Sequence, residues 1–160
     1  MTPFLCNSCR KVLVFIQSQL TLLRSLSSRD GFALFLNAAV AADRCSRLSL
    51  QSRGSYNDFP AIAYEFFTQA LSIYDECPMV DAKQQIIFLN SLIGTLLVCR
   101  CFDTHDYDNL STKLAQNAAR MVGKVDQCKL LIKCAHLFYS SDQNVRRRNG
   151  NMTMRKSKSR

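Results

Sequence analysis

The chain is poor in the residues that punctuate structure. Its 160 residues contain five glycines and three prolines, and the long periodic stretches hold almost none of them internally. Turn-rich and sheet-rich folds draw heavily on both types, so the scarcity favours helices throughout. The opening residues, Met1 to Cys6, lack the basic region and small-residue cleavage site of a secretory signal. Uninterrupted apolar runs fall far short of the ~18–20 residues a membrane span needs. A P-loop, a G-x-G-x-x-G turn, an H-E-x-x-H helix and a nucleophile elbow are all missing. The two histidines do not repair that: His105 falls in a polar turn and His136 inside the last helical stretch. No catalytic, cofactor-binding or metal-binding residue is assigned, no cofactor is expected, and the protein is read as a non-enzyme.

What is present is helical periodicity. From Asp58 to Cys99 two antiparallel helices are expected. Asp58 is placed to cap the first, and Pro60 sits in its first turn, where a missing N–H is harmless. Glu65, Thr68, Gln69, Ser72 and Glu76 mark a wet stripe opposite Ile62, Phe66, Phe67, Ala70, Ile73 and Tyr74. Pro78 punctuates the pair. The second helix, Ala82 to Cys99, is apolar around most of its circumference, from Ile86 to Val98, with only Asn90, Ser91 and Thr95 interrupting. Such a helix is expected to be core, covered on nearly all sides.

The flanking segments repeat the pattern. Arg10 to Ser28 carries Val12, Leu13, Ile16, Leu20 and Leu23 at helical spacing. Ser27 to Gly31 should break the chain, with Asp30 capping a second helix from Phe32 to about Arg47. Its alanines (Ala38, Ala39, Ala41, Ala42) suit close helix packing. Ser46 to Asn57 reads as a surface loop, and Cys101 to Tyr107 as a short turn. A fifth helix is expected from Asp106 or Asp108 to about Val122, closed by Gly123 in a left-handed conformation. Asp126 should cap a sixth, with Val125 stapled on Leu130 and Leu131, Cys134, Ala135 and Phe138 facing inward to about Tyr139. Val14 and Phe15 at one end, and Leu130, Ile132 and Leu137 at the other, lie off those stripes, so both ends should want neighbours.

The fold class is therefore all-α: a HEAT-like α-solenoid segment of three helical hairpins over residues 1–141, then a basic disordered tail over 142–160. The formal net charge of +9 is concentrated there. Seven basic residues against Asp142 give the tail +6 and leave +3 for the body. A cluster of this kind could neutralise phosphates of nucleic acid or anionic lipid, which supplies the alternative function. It has no interleaved aromatics for base stacking, and nucleic acid is not an expected partner. The eight cysteines, Cys6, Cys9, Cys45, Cys77, Cys99, Cys101, Cys128 and Cys134, fall mostly inside apolar helical patterns and read as reduced, buried thiols rather than disulfides. Cys6-x-x-Cys9 with Cys99-x-Cys101 is the weaker zinc reading. Asp75, Glu76 and Asp81 read as solvated caps at a hairpin turn.

Ala63-Tyr-Glu-Phe-Phe-Thr-Gln-Ala-Leu-Ser-Ile-Tyr-Asp-Glu76, Leu92-Ile-Gly-Thr-Leu96 and Lys133-Cys-Ala-His-Leu-Phe-Tyr-Ser140 closely resemble the vacuolar protein sorting-associated protein 35 family, the large α-solenoid subunit of retromer. Leu34 to Ala42, Cys101-Phe-Asp103 and Val125-Asp-Gln127 fit it in the same order. The resemblance covers roughly residues 11–141. It implies a non-enzymatic scaffold on the cytosolic face of endosomes, in retrograde sorting from endosome to Golgi. It further implies a contact with the small metallophosphoesterase-like subunit, vacuolar protein sorting-associated protein 29, and only indirect contact with membrane. The family's Pro-Arg-Leu-Tyr-Leu segment is missing, so the arrestin-like subunit is not an expected partner. From Val145 onward the basic stretch stands where the family has further helices, as expected of a fragment or a truncated paralogue. No partner-contact residue follows from the resemblance.

Overall fold

A single residue, Ser27, separates the first two helices of the computed structural model, which describes residues 3–50, 58–76 and 82–139. The helices are α1 (Pro3–Leu26), α2 (Ser28–Leu50), α3 (Phe59–Glu76), α4 (Ala82–Val98) and α5 (Thr104–Ala119), followed by α6 over residues 124–139. Among the described residues there is no strand. The all-α expectation holds. The expected tail, the loop tip 51–57 and residues 77–81 with Pro78 lie outside the described residues.

Two compact units divide the chain, residues 1–102 and 103–160. In the first, polar contacts fix the direction of every helix. Arg10 pairs with Asp58 at 3.0 Å, joining the first part of α1 to the start of α3. Arg24, near the end of α1, donates to Gln69 at 2.8 Å and Ser72 at 3.1 Å, and also meets Glu76 at the end of α3. Hence α1 and α3 run parallel. Likewise Arg29 at the start of α2 donates to Gln84 at the start of α4, and Asp43 late in α2 accepts from the residues that follow α4. Hence α2 and α4 run parallel to each other and antiparallel to α1 and α3. This is the alternation of stacked hairpins.

The hub of this unit is α2, which packs on α1, α3 and α4. Phe35, Ala39 and Ala42 on it are fully buried, and the Phe35 ring lies 6.2 Å from Phe66. Small side chains at 39 and 42 let neighbouring backbones approach, as the alanine run predicted, although Ala41 faces solvent. The α3 apolar face is buried as expected apart from half-buried Ile62, with Phe59, Ala63 and Leu71 added to it. The expectation that α4 is covered on nearly all sides fails. Phe88, Leu89, Leu92, Ile93 and Leu96 are buried, but Ile87 and Val98 stand 54% and 53% exposed.

Helix ends also differ from expectation. Pro3 is tolerated in the first turn, so α1 begins seven residues earlier than Arg10. No loop intervenes before Phe32: the Ser27 carbonyl accepts the Gly31 N–H at 3.0 Å, and the Ser27 hydroxyl bonds Asp30 at 2.8 Å. Ser27 is therefore the cap and Asp30 its reciprocal partner three residues on. At the other end α2 runs through Ser46 and Ser49 to Leu50. Both serines are buried, and Ser49 returns its hydroxyl to the Ser46 carbonyl at 2.8 Å. A serine bonded into its own helix does not mark a loop.

Among its described residues, 103–139, the second unit is one hairpin. Tyr107 near the start of α5 donates its hydroxyl to the Leu137 carbonyl near the end of α6 at 3.2 Å, and Gln127 near the start of α6 bonds the Ala119 carbonyl at the end of α5. The two helices are thus antiparallel. Asp103, not Asp106 or Asp108, caps α5, accepting the Asp106 N–H at 2.8 Å. The turn before it therefore ends at Asp103 rather than Tyr107. Gly123 is not left-handed. Its carbonyl takes the Gln127 N–H at 2.8 Å, so it opens α6 in place of Asp126. Val125 is 67% exposed and makes no staple. The inward face of α6 is Leu130, Cys134 and Leu137, whereas Leu131, Ala135 and Phe138 point outward.

Candidate partner-binding groove

The exposed side of α4 and the adjoining side of α2 enclose a groove of roughly 630 Å³. Contacts of α2 with α4 and with the turn after it mark its two ends. At one end Arg29 reaches Gln84, and Phe32 stacks on Phe88 with ring centroids 4.0 Å apart. Beyond the other end lies the Asp43 contact. Between them Leu36 and Val40 of α2 face Ile87 and Val98 of α4, with Ser91, Gly94 and Thr95 leaving the middle shallow and open. An ideal Cβ on Gly94 meets nothing within 4 Å. Arg29 is the one charged residue among the described lining residues. The arrangement can hold an apolar surface; its described lining has no carboxylate, histidine, cysteine or lysine, and the Ser91 hydroxyl donates back to the Ile87 carbonyl at 2.9 Å.

Asp43 fixes the far end. It is fully buried on α2, and its Oδ1 accepts the backbone N–H groups of Arg100 and Cys101 at 2.7 and 2.9 Å. Its Oδ2 lies 3.0 Å from the Arg47 guanidinium one turn along, without a well-directed N–H, so attraction there is Coulombic. Burial pushes the Cys99 thiol up to about 12, and the Asp43 carboxylate adds to the effect. The same two causes raise Cys101, and burial raises Cys134. These thiols stay protonated near neutral pH, unsuited to nucleophilic work. The next residue, Phe102, packs edge-on to Tyr64 and Phe67, at 6.4 and 6.2 Å.

The structure does not bring the sequence candidates into one site. Cys9 is half-buried on α1 and free, while the side chain of Cys6 lies outside the described residues, as do Cys77 and Asp81. His136 is exposed on α6. His105 lies with Asp103 and Asp106 in a small exposed group, their ligand atoms within 4.8 Å of one another. Asp103 is engaged as a helix cap and His105 meets Asn109 at 3.2 Å. Asp75 and Glu76 are exposed, and Glu76 answers Arg24, whose hydrogen bond lowers its pKa. No helix among the described residues is long and apolar enough to cross a membrane. Sequence reasoning missed the groove because Ile87 and Val98 were assigned to core. The signal was there: Ile87, Ser91, Gly94 and Val98 recur at helical spacing, and a stripe with two small residues at its centre is poor packing material. It missed Asp43 too, a lone carboxylate following two alanines.

Residues 5–158 match the family model of vacuolar protein sorting-associated protein 35, so the match continues through the basic stretch that begins at Val145. The chain is 36% identical over 136 residues to vacuolar protein sorting-associated protein 35A of Arabidopsis thaliana, covering 84% of this chain and 16% of that protein. It is 38% identical over 107 residues to vacuolar protein sorting-associated protein 35 of Schizosaccharomyces pombe, covering 67% of this chain and 11% of that one. The Dictyostelium discoideum protein of the same name is 28% identical over 130 residues. The chain thus spans less than a fifth of the length of these curated relatives. With nearly its whole length matched to one family and the helices of its first unit alternating as stacked hairpins, the chain belongs to the vacuolar protein sorting-associated protein 35 family.

Proposed function

We propose that this chain is a non-enzymatic scaffold segment of the retromer large subunit, acting in endosomal protein sorting and retrograde transport from endosome to Golgi. The observation that carries the reading is the family match over residues 5–158. The first unit supports it: parallel α2 and α4 present an open apolar groove instead of a reactive site. Its partner in this reading is the small metallophosphoesterase-like subunit, vacuolar protein sorting-associated protein 29, with membrane reached only through the complex. The place of work is the cytosolic face of endosomes, and residues 1–141 act as the scaffold with 142–160 as a basic appendage. A standard interface buries about 800 Å² on each side. A segment this short supplies only part of it, so binding on the order of micromolar or weaker is expected.

Calorimetric titration of the small subunit into the folded chain tests this. Heat of binding that survives deletion of residues 142–160 supports the scaffold reading. No heat at high micromolar concentration overturns it for this chain. Binding of anionic vesicles or oligonucleotides that is lost with the same deletion would instead favour the polyanion-binding alternative.

A further inference from the structure

We propose that the α2–α4 groove docks an amphipathic helix of a partner protein, apolar stripe inward, with carboxylates at the end that meets Arg29. The inference rests on the scaffold reading and adds a second kind of partner to it. Three observations carry it.

The groove is held at a fixed width. The Phe32–Phe88 stack and the Arg29–Gln84 bond set the spacing of α2 and α4 at one end, and Asp43 with the turn after α4 sets it at the other. From Arg29 to Val40 the α2 side runs about 17 Å at ~1.5 Å per residue, the length of roughly three helical turns. Two parallel helices with a shallow trough between them are the receiving half of helix-in-groove recognition.

Among the described residues no close contact requires a glycine at position 94. It lies mid-helix, where glycine is less stable than alanine by about 1 kcal/mol, and its φ is ordinary. Among the described residues nothing lies within 4 Å of a Cβ built there. Gly94 lines the groove, so the gain is close approach of a backbone from outside.

The electrostatics have a direction. Arg29 is the one charged lining residue, and no carboxylate lines the groove among the described residues. Because α2 and α4 run parallel, both present their N-terminal, partly positive ends at the Arg29 end. That end favours carboxylates, and it favours an occupant running antiparallel, whose own C-terminal carbonyls then point there. The chain's own 142–160 stretch has the wrong sign.

The test uses a fluorescein-labelled 15-residue amphipathic peptide, with leucines on one face and two glutamates in its last turn. Its twin carries lysines in place of the glutamates. Anisotropy titrations against the full chain should give binding of the glutamate peptide roughly three- to tenfold tighter than its twin at low salt. Gly94→Leu fills the trough and should weaken binding at least about tenfold, since one blocked apolar contact of this size is worth more than 1.4 kcal/mol. Circular dichroism confirms that this variant is folded. Arg29→Glu should reverse the charge preference.

Four results of the peptide titrations overturn the proposal: no binding of the glutamate peptide at 1 mM, equal binding by Gly94→Leu, equal affinity for the twin, or tighter binding after deletion of residues 142–160. The last would identify the chain's own tail as occupant. A dimer in sedimentation that Gly94→Leu dissociates would assign the groove to a second copy and also overturn it. The small-subunit titration, run on the same variants, separates the readings. Its failure with peptide binding intact removes the scaffold reading alone.

Discussion

The Oδ1 of Asp43 accepts the backbone N–H of Arg100 at 2.7 Å, across 57 residues of sequence. The same oxygen takes the N–H of Cys101, so one carboxylate on the central helix sets the exit of α4. Replacing it with alanine leaves two N–H groups without their acceptor and Arg47 without its counter-charge. Asp43→Ala should therefore lower stability by about 2–4 kcal/mol. Asp43→Asn, which keeps an acceptor oxygen, should cost roughly half as much. Urea denaturation followed by circular dichroism measures both, and a change under ~0.5 kcal/mol for alanine would refute the role.

The packing role of α2 has its own test. Ala39 is fully buried where neighbouring helices meet, whereas Ala41 on the same helix faces solvent. Ala39→Leu should destabilise by about 1–3 kcal/mol or more through overpacking. Ala41→Leu should stay within ~0.5 kcal/mol. Equal effects at the two positions would mean that α2 is not the hub.

High pH should unfold the chain through its buried thiols. An ordinary thiol titrates near 9, but Cys99 is pushed up to about 12 by burial and by Asp43. Below pH ~8 the thiol is protonated in folded and unfolded chains alike, and its contribution is constant. Between 9 and 12 the unfolded chain loses the proton and the folded one keeps it, so stability falls with rising pH. For one such thiol the slope approaches about 1.4 kcal/mol per pH unit. Cys99→Ala should flatten that part of the profile, measured as the difference between the two proteins' urea midpoints from pH 8 to 11. Parallel profiles would overturn the assignment.

Helix type and hairpin order were legible because a 3.6-residue period survives any tertiary detail. Three helix starts were misplaced in the same way. Asp30 and Asp126 looked like caps and Asp106 or Asp108 like the first residue of α5, yet the caps are Ser27, Gly123 and Asp103, each three residues before an aspartate in the first turn; Asp58, by contrast, opens α3 as expected. A carboxylate in the first turn is favoured by the helix dipole as well as by capping. An acid near a helix start therefore marks two possible positions, and only the backbone pattern separates them. The groove was illegible for another reason: apolar composition says that a surface should be covered, not that a neighbour within the chain covers it.

The same ambiguity of face decides the last helix. Its sequence carries Leu130, Leu131, Ile132, Leu137 and Phe138, enough apolar residues to build two stripes, and periodicity favoured the one through Leu131 and Phe138. The structure selects the other: Leu130, Cys134 and Leu137 are buried, while Phe138 stays 46% exposed. The Leu137 carbonyl, bonded by Tyr107, holds that end of the helix against α5. An aspartate in the buried face forces a charge into an apolar contact, whereas one in the open face remains in water. Leu137→Asp should therefore destabilise the second unit by about 3–5 kcal/mol, seen as loss of hydrogen-exchange protection in residues 104–139. Phe138→Asp should cost less than ~1 kcal/mol and leave that protection nearly intact. The reverse order would restore the face that the periodicity first suggested and displace the register described for α6.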